Sequence, residues 1–163
     1  MIVRDATAAD DDAIDDLVAA AFDGGDAELE IVRAIRARRI ALPGLELVAD
    51  ETGTVIGHVL VSQGDLGGRS VPAVAPLSVL PQWQRRGIGS ALMGEVLTVA
   101  DAQGWPLVAL LGHPSYYPRF GFEPGRPLGV VYAPVDSPAF MVRRLGAYDP
   151  SWRGQFRYGW ESS

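Results

Sequence analysis

The chain contains no cysteine, which excludes disulfides, thiolate metal ligands and a cysteine nucleophile. It has two histidines, His58 and His113, far apart in sequence and without a nearby acidic pair, so no metal site is expected. No apolar run approaches the roughly 20 residues that span a bilayer. Positive charge is scarce: 14 basic against 20 acidic side chains leaves a net charge of −6. That balance excludes broad, charge-driven binding to nucleic acid or to an anionic membrane, though not a local anion site. The opening Met1-Ile2-Val3-Arg4-Asp5 lacks the basic-then-apolar pattern of a signal peptide, and the expected location is the cytoplasm.

What is present describes a packed protein. The 163 residues are 48% hydrophobic and 21% charged, within the range of one domain, 1–163, able to bury about two-thirds of its unfolded surface. Residues 2–4 read as a short strand. Thr7 followed by Asp10 fits a capping pattern, with Asp10, Asp11 and Asp12 at the positive end of a helix that runs to about Phe22. Gly24-Gly25 breaks it, and a second helix from about Ala27 ends in Arg33, Arg36, Arg38 and Arg39, read as a solvated helix end. Residues 45–49 and 54–61 are β-branched strands around the turn Asp50-Glu51-Thr52-Gly53.

A third strand is expected over 71–80, but Pro72 and Pro76 cannot donate to a ladder, so it should be bulged or partly unpaired there. Residues 86–103 carry Ile88, Leu92, Val96 and Val99 at helical spacing, with Met93 and Leu97 beside them, which makes a largely buried helix. Residues 106–111 form a short apolar strand, 115–120 a turn or short helix, and 140–145 a late strand. The aromatic-rich tail, 146–163, packs on the domain or on a partner, including a second copy of the chain in a homodimer. The fold class is α/β, with a βαβ unit added to an antiparallel meander in a mixed sheet.

The chemistry is carried by Gln84-Arg85-Arg86-Gly87-Ile88-Gly89-Ser90, which joins the proline-bearing strand to the buried helix. The first N–H groups of a helix lack internal partners and sit at its positive end. Glycines at 87 and 89 clear space for a ligand to reach the backbone, and Arg85 and Arg86 add forked donors. Such a turn suits a phosphate or pyrophosphate. It is not a P-loop, because Gly89 is followed by Ser90-Ala91 rather than Lys-Ser or Lys-Thr. It is not a dinucleotide fingerprint either, because the third glycine position is Leu92.

The segment resembles the acetyl-CoA motif of the GNAT superfamily, Gln/Arg-x-x-Gly-x-Gly/Ala, read here as Gln84, Gly87 and Gly89. Leu77-Ser78-Val79 precede it where this family offers backbone groups to the pantetheine. Tyr116-Tyr117-Pro118-Arg119-Phe120-Gly121-Phe122 is similar to the family's Tyr-x-x-x-Gly-Phe ending, with Tyr117 as the tyrosine. The resemblance covers about residues 1–145 and is sharp over 76–122. It implies a mostly antiparallel sheet flanked by helices, with a splayed parallel strand pair ending near Val79 and Leu111. Acetyl-CoA would lie in the gap, with its pyrophosphate on the amides of Arg85, Arg86, Gly87, Ile88, Gly89 and Ser90. The prolines would help keep that strand edge unpaired.

The implied activity is N-acetylation of a primary amine of a small molecule or peptide, by direct transfer in a ternary complex. Val79 N–H would polarise the thioester carbonyl, and Tyr117, or failing it Tyr116, would be the acid for the departing sulfur. Many relatives carry a glutamate base on the strand before the turn. Residues 71–80 hold no carboxylate, and Ser78 is a poor base. His113 is a candidate base by its pKa class, with a loop-shaping role equally open. His58 reads as a hydrogen-bonded, half-buried histidine. The alternatives are a non-catalytic acyl-CoA-binding or regulatory module on the same fold, and a nucleotide phosphate-binding protein.

Overall fold

The structure is a computed structural model, and it describes residues 1–22, 26–132 and 137–161. Strand β1 (Ile2–Asp5) leads through a 3-10 turn into α1 (Asp11–Ala21), followed by α2 (Ala27–Arg38). The meander is β2 (Ala41–Glu51), β3 (Thr54–Leu66) and β4 (Arg69–Val79). Helix α3 (Ile88–Ala102) then crosses to β5 (Leu107–Leu111). Short strands β6 (Glu123–Pro124) and β7 (Val130–Val131) precede β8 (Phe140–Arg144) and β9 (Gly154–Tyr158). The sheet order is β1-β2-β3-β4-β5-β8-β6, with β9 on β3 and β7 on β9. The pairs within that path are antiparallel except β4–β5. The expected mixed, mostly antiparallel α/β sheet with the parallel pair β4–β5 is therefore the fold observed, and β7 pairs parallel with β9 as well. The expected break at Gly24-Gly25 lies outside the described residues.

Local chemistry explains the helix starts. Thr7 N–H donates to the Asp10 carboxylate at 2.8 Å, and Arg4 forks onto the same carboxylate with two bonds of 2.9 Å. The two hydrogen-bond donors hold the Asp10 carboxyl well below the usual carboxylate range. The arginine cluster of α2 is not simply solvated. Arg36 donates to Asp15 at 2.7 Å and so ties α2 to α1.

The sheet is covered on both faces. Ile88, Leu92, Met93 and Val96 of α3 pack on Leu45, Leu47, Val59 and Val61, each such burial being worth about 1.5–3 kcal/mol. A Cβ on Gly57 would stand 2.8 Å from Ile88 and 3.0 Å from Leu92, so glycine there lets α3 lie close on the sheet. On the other face, Ile14, Val18, Val32 and Ile35 cover Val48 and Leu60. The tail supplies β9, which pairs with β3 at residues 64–66 and buries Phe156 and Tyr158. Among the described residues, no helix is long and apolar enough to cross a membrane.

The bulge expected from the prolines falls at one of them. Against β3, the register steps from Val61↔Val74 to Val59↔Leu77, so β4 carries one extra residue at Ala75-Pro76. Pro72 instead pairs with Gln63 in regular register. On its other edge, β4 meets β5 only at Ala73↔Ala109 and Val74↔Leu110. The parallel pairing stops where the bulge begins.

Candidate active site

Beyond Val74 the two parallel strands diverge, and the gap opens into a cavity on each side. The first, about 690 Å³, is lined by Leu77 and Val79 of β4 and by Gln84, Arg85, Gly87, Ile88, Gly89 and Ser90 of the turn. Trp83, His113, Tyr116, Tyr117 and Arg119 complete its wall. The second, about 320 Å³, lies among β4, β5, α2 and the tail. Leu77, His113 and Tyr117 line both. The two cavities thus meet at the mouth of the splayed strands.

The turn has the backbone of an anion cradle. Arg85 has φ 64° and Gly87 φ 83°, so left-handed residues bracket Arg86 immediately before the first turn of α3, an arrangement that makes anion-binding concavities. A non-glycine residue held there costs about 1–2 kcal/mol. Gln84 donates its side-chain amide to Val79 O at 3.1 Å, which braces the turn against the end of β4.

The side chains of two residues expected at the cofactor do not line the cavity. Ser78 is buried and pairs with His58 on β3, so its side chain faces away from the one shared by Leu77 and Val79. The Arg86 guanidinium lies over the Trp83 ring, 5.0 Å from its centroid. Arg119 and Trp83 line the cavity and were not singled out from the sequence. Arg119 donates to Tyr116 O at 2.9 Å and sits 4.3 Å above the Tyr116 ring. Its position beside the tyrosine pair was the available signal.

Tyr117 starts a 3-10 turn, Tyr117–Phe120, and its ring packs edge-on to Tyr116 and Phe122 at 5.0 and 5.9 Å. Burial, with a smaller contribution from Tyr116, pushes its phenol up to about 12. His113, exposed in the loop after β5, accepts the backbone N–H of Tyr116 at 3.0 Å through its carbonyl. His58 lies outside both cavities. It is fully buried rather than half-buried, with Nε2 at 2.9 Å from a Glu46 oxygen, because β2 and β4 flank it and α1 covers this face of β3.

Comparison with known proteins decides the assignment. The profile described as "Acetyltransferase (GNAT) domain" matches residues 44–124. The Escherichia coli protein named uncharacterized N-acetyltransferase YhbS is 34% identical over 125 residues, 76% of this chain and 74% of that protein. The chain belongs to the GNAT acetyltransferase family. A second E. coli relative, the uncharacterized N-acetyltransferase YjhQ, is 34% identical over 60% of this chain, and the match spans just over half, 56%, of its length. The crystal structure of YhbS with CoA superposes with a TM-score of 0.88 at 31% identity, covering 96% of this chain and 88% of that one. A Brucella melitensis GNAT acetyltransferase in complex with acetyl-CoA gives 0.78 at 32% identity, covering 96% and 94%. The splayed pair, the glycine turn and the tyrosine loop described above all lie within the residues that the profile matches.

Proposed function

We propose that this protein transfers the acetyl group of acetyl-CoA to a primary amine. The observation that carries the reading is the junction of the two cavities at Leu77, His113 and Tyr117. A donor on the turn side and an acceptor on the α2 side would meet at these three residues. The turn fits the donor: Gly87 leaves the backbone open, Gly89 gives room to the Tyr116 hydroxyl, the helix start is positive, and Arg85 and Arg119 line the cavity with cations suited to phosphates. Among the described residues, the β5-facing edge of β4 has no partner strand beyond the bulge, so its backbone can pair with an extended, amide-bearing chain.

Acetyl-CoA supplies an activated acetyl carbon. The amine nitrogen bonds to that carbon, the carbon–sulfur bond breaks, the nitrogen loses a proton and the sulfur gains one. Tyr117 is suited to give that proton, because its phenol stays protonated well above neutral pH. Val79, at the end of β4, offers its backbone N–H to the carbonyl oxygen. His113 is the imidazole at the junction and can relay the amine's proton to solvent. We assign the work to one domain acting in the cytoplasm.

Tyr117→Phe tests the acid. Turnover of an acceptor amine should fall about 100-fold, with acetyl-CoA affinity within threefold of the parent. Unchanged turnover would remove Tyr117 from the chemistry. A parent that binds acetyl-CoA but acetylates no amine would instead make this a binding module, a reading favoured by the absence of a carboxylate from β4.

A further inference from the structure

The second cavity shows what it can hold. Its aromatic wall is Tyr132, Tyr158 and Trp160. Tyr158 and Trp160 are stacked at 5.0 Å and 29°, and Tyr132 stands edge-on to Tyr158 at 5.5 Å and 88°. Glu161 ties up two polar groups of this wall, while the buried Trp160 Nε1–H has no partner among the described residues. Tyr132 Oη donates to Glu161 at 2.7 Å, and the other Glu161 oxygen accepts Tyr158 N–H at 2.9 Å. On the facing side are Ala75, Pro76 and Leu110, with Leu111 left 44% exposed. One carboxylate lines the cavity, Glu28 in the first turn of α2. It is half-buried and has no hydrogen bond or ion pair among the described residues.

The lining therefore offers π faces, apolar surface and one negative charge, with few free groups for hydrogen bonding. An acceptor rich in hydroxyls or carboxylates would lose its water without gaining partners, at about 1–3 kcal/mol for each unpaired group. A flat apolar body gains burial and aromatic contact, and an ammonium is favoured by both the carboxylate and the ring faces. A volume near 320 Å³ lies at the small end of ligand cavities.

We propose that the acceptor is a small primary amine carried on a flat apolar body, of the arylalkylamine class, drawn in as its ammonium by Glu28. This rests on the acetyl-transfer reading above. The ammonium gives up one proton to become nucleophilic. The neutral amine then loses a second on acylation while the CoA sulfur gains one, so each cycle releases one net proton.

The experiment measures acetyl transfer to 2-phenylethylamine, ethanolamine and a tripeptide with a free amino terminus, beside calorimetry of acetyl-CoA alone. The expected result is a kcat/KM for 2-phenylethylamine at least tenfold above the other two. Glu28→Gln, a change on the outer turn of a helix, should raise the KM for 2-phenylethylamine about tenfold without altering acetyl-CoA affinity. Trp160→Ala should erase most of the preference for the ring. Equal or better use of ethanolamine or the tripeptide overturns the acceptor class, as does an indifferent Glu28→Gln. Acetyl-CoA binding without transfer to 2-phenylethylamine overturns it too. Failure to bind acetyl-CoA overturns the reading beneath it instead.

Discussion

Gly112 and Tyr117 are packed so closely that a Cβ on Gly112 would lie 2.3 Å from Tyr117 Cε2. Gly112 is not among the positive-φ residues, so the glycine serves space rather than backbone conformation. It lets the phenol ring lie against the end of β5 at the junction of the two cavities. Gly112→Ala must therefore push the ring aside. We expect kcat to fall at least tenfold, with acetyl-CoA affinity changed less than threefold. Steady-state kinetics with calorimetry would check this, and an unaffected kcat would mean the ring's position is immaterial.

The pH profile gives a second test of the same phenol. Its ordinary value is about 10, and burial raises it to about 12. A raised value keeps the proton on through the range in which the acceptor amine deprotonates. The rate should rise with pH and show no descending limb between about pH 8 and 10. A descending limb in the parent with a midpoint near the ordinary tyrosine value would contradict this assignment.

Arg85 holds φ 64° in the turn. Arg85→Gly relieves about 1–2 kcal/mol of left-handed strain and adds about 0.5–1 kcal/mol of unfolded-chain entropy, while removing a cation from the donor cavity. Thermal stability should hold or rise as acetyl-CoA affinity falls about tenfold. A destabilised variant with full affinity would show that the strain serves the fold rather than the ligand.

The Arg4–Asp10 fork gives a prediction about stability. Asp10 has a lowered carboxyl pKa, so its stabilisation is complete above the ordinary value of about 3.9 and drains away as pH falls below it. Asp10→Asn should cost about 1–2 kcal/mol at neutral pH. In chemical denaturation series the gap to the parent should narrow once the pH drops below about 4. A gap independent of pH would mean that shape rather than charge sets its value.

Much of this arrangement was legible from local signals. The 3.6-residue spacing of Ile88, Leu92 and Val96 marked α3, and the glycine turn stood out because its neighbours rule out two other phosphate motifs. Pro76 announced the bulge that ends the β4–β5 pairing. What escaped depends on pairing between distant segments. Strand β9 was hidden because Phe156 and Tyr158 looked like aromatic density, although they alternate with Gln155 and Arg157. Strand β3 runs on to Leu66 through the polar Gln63-Gly64-Asp65 because β4 and β9 pair with it. The two-residue strands β6 and β7 have no periodicity to read. The contact of His58 with Glu46 across β2 and β3, and the place of Arg119 in the donor cavity, follow from register and loop geometry that spacing cannot convey.

Binding of the acetyl-CoA phosphates by the turn before α3 is tested most directly by Ser90→Glu. Ser90 is exposed in the first turn of α3 and lines the donor cavity. A glutamate there suits the helix dipole and leaves the fold intact, but sets a negative charge against the pyrophosphate. Calorimetric titration with acetyl-CoA should give micromolar-range binding by the parent and at least tenfold weaker binding by an equally stable Ser90→Glu. Equal binding by both proteins, or none by a well-folded parent, would contradict the account.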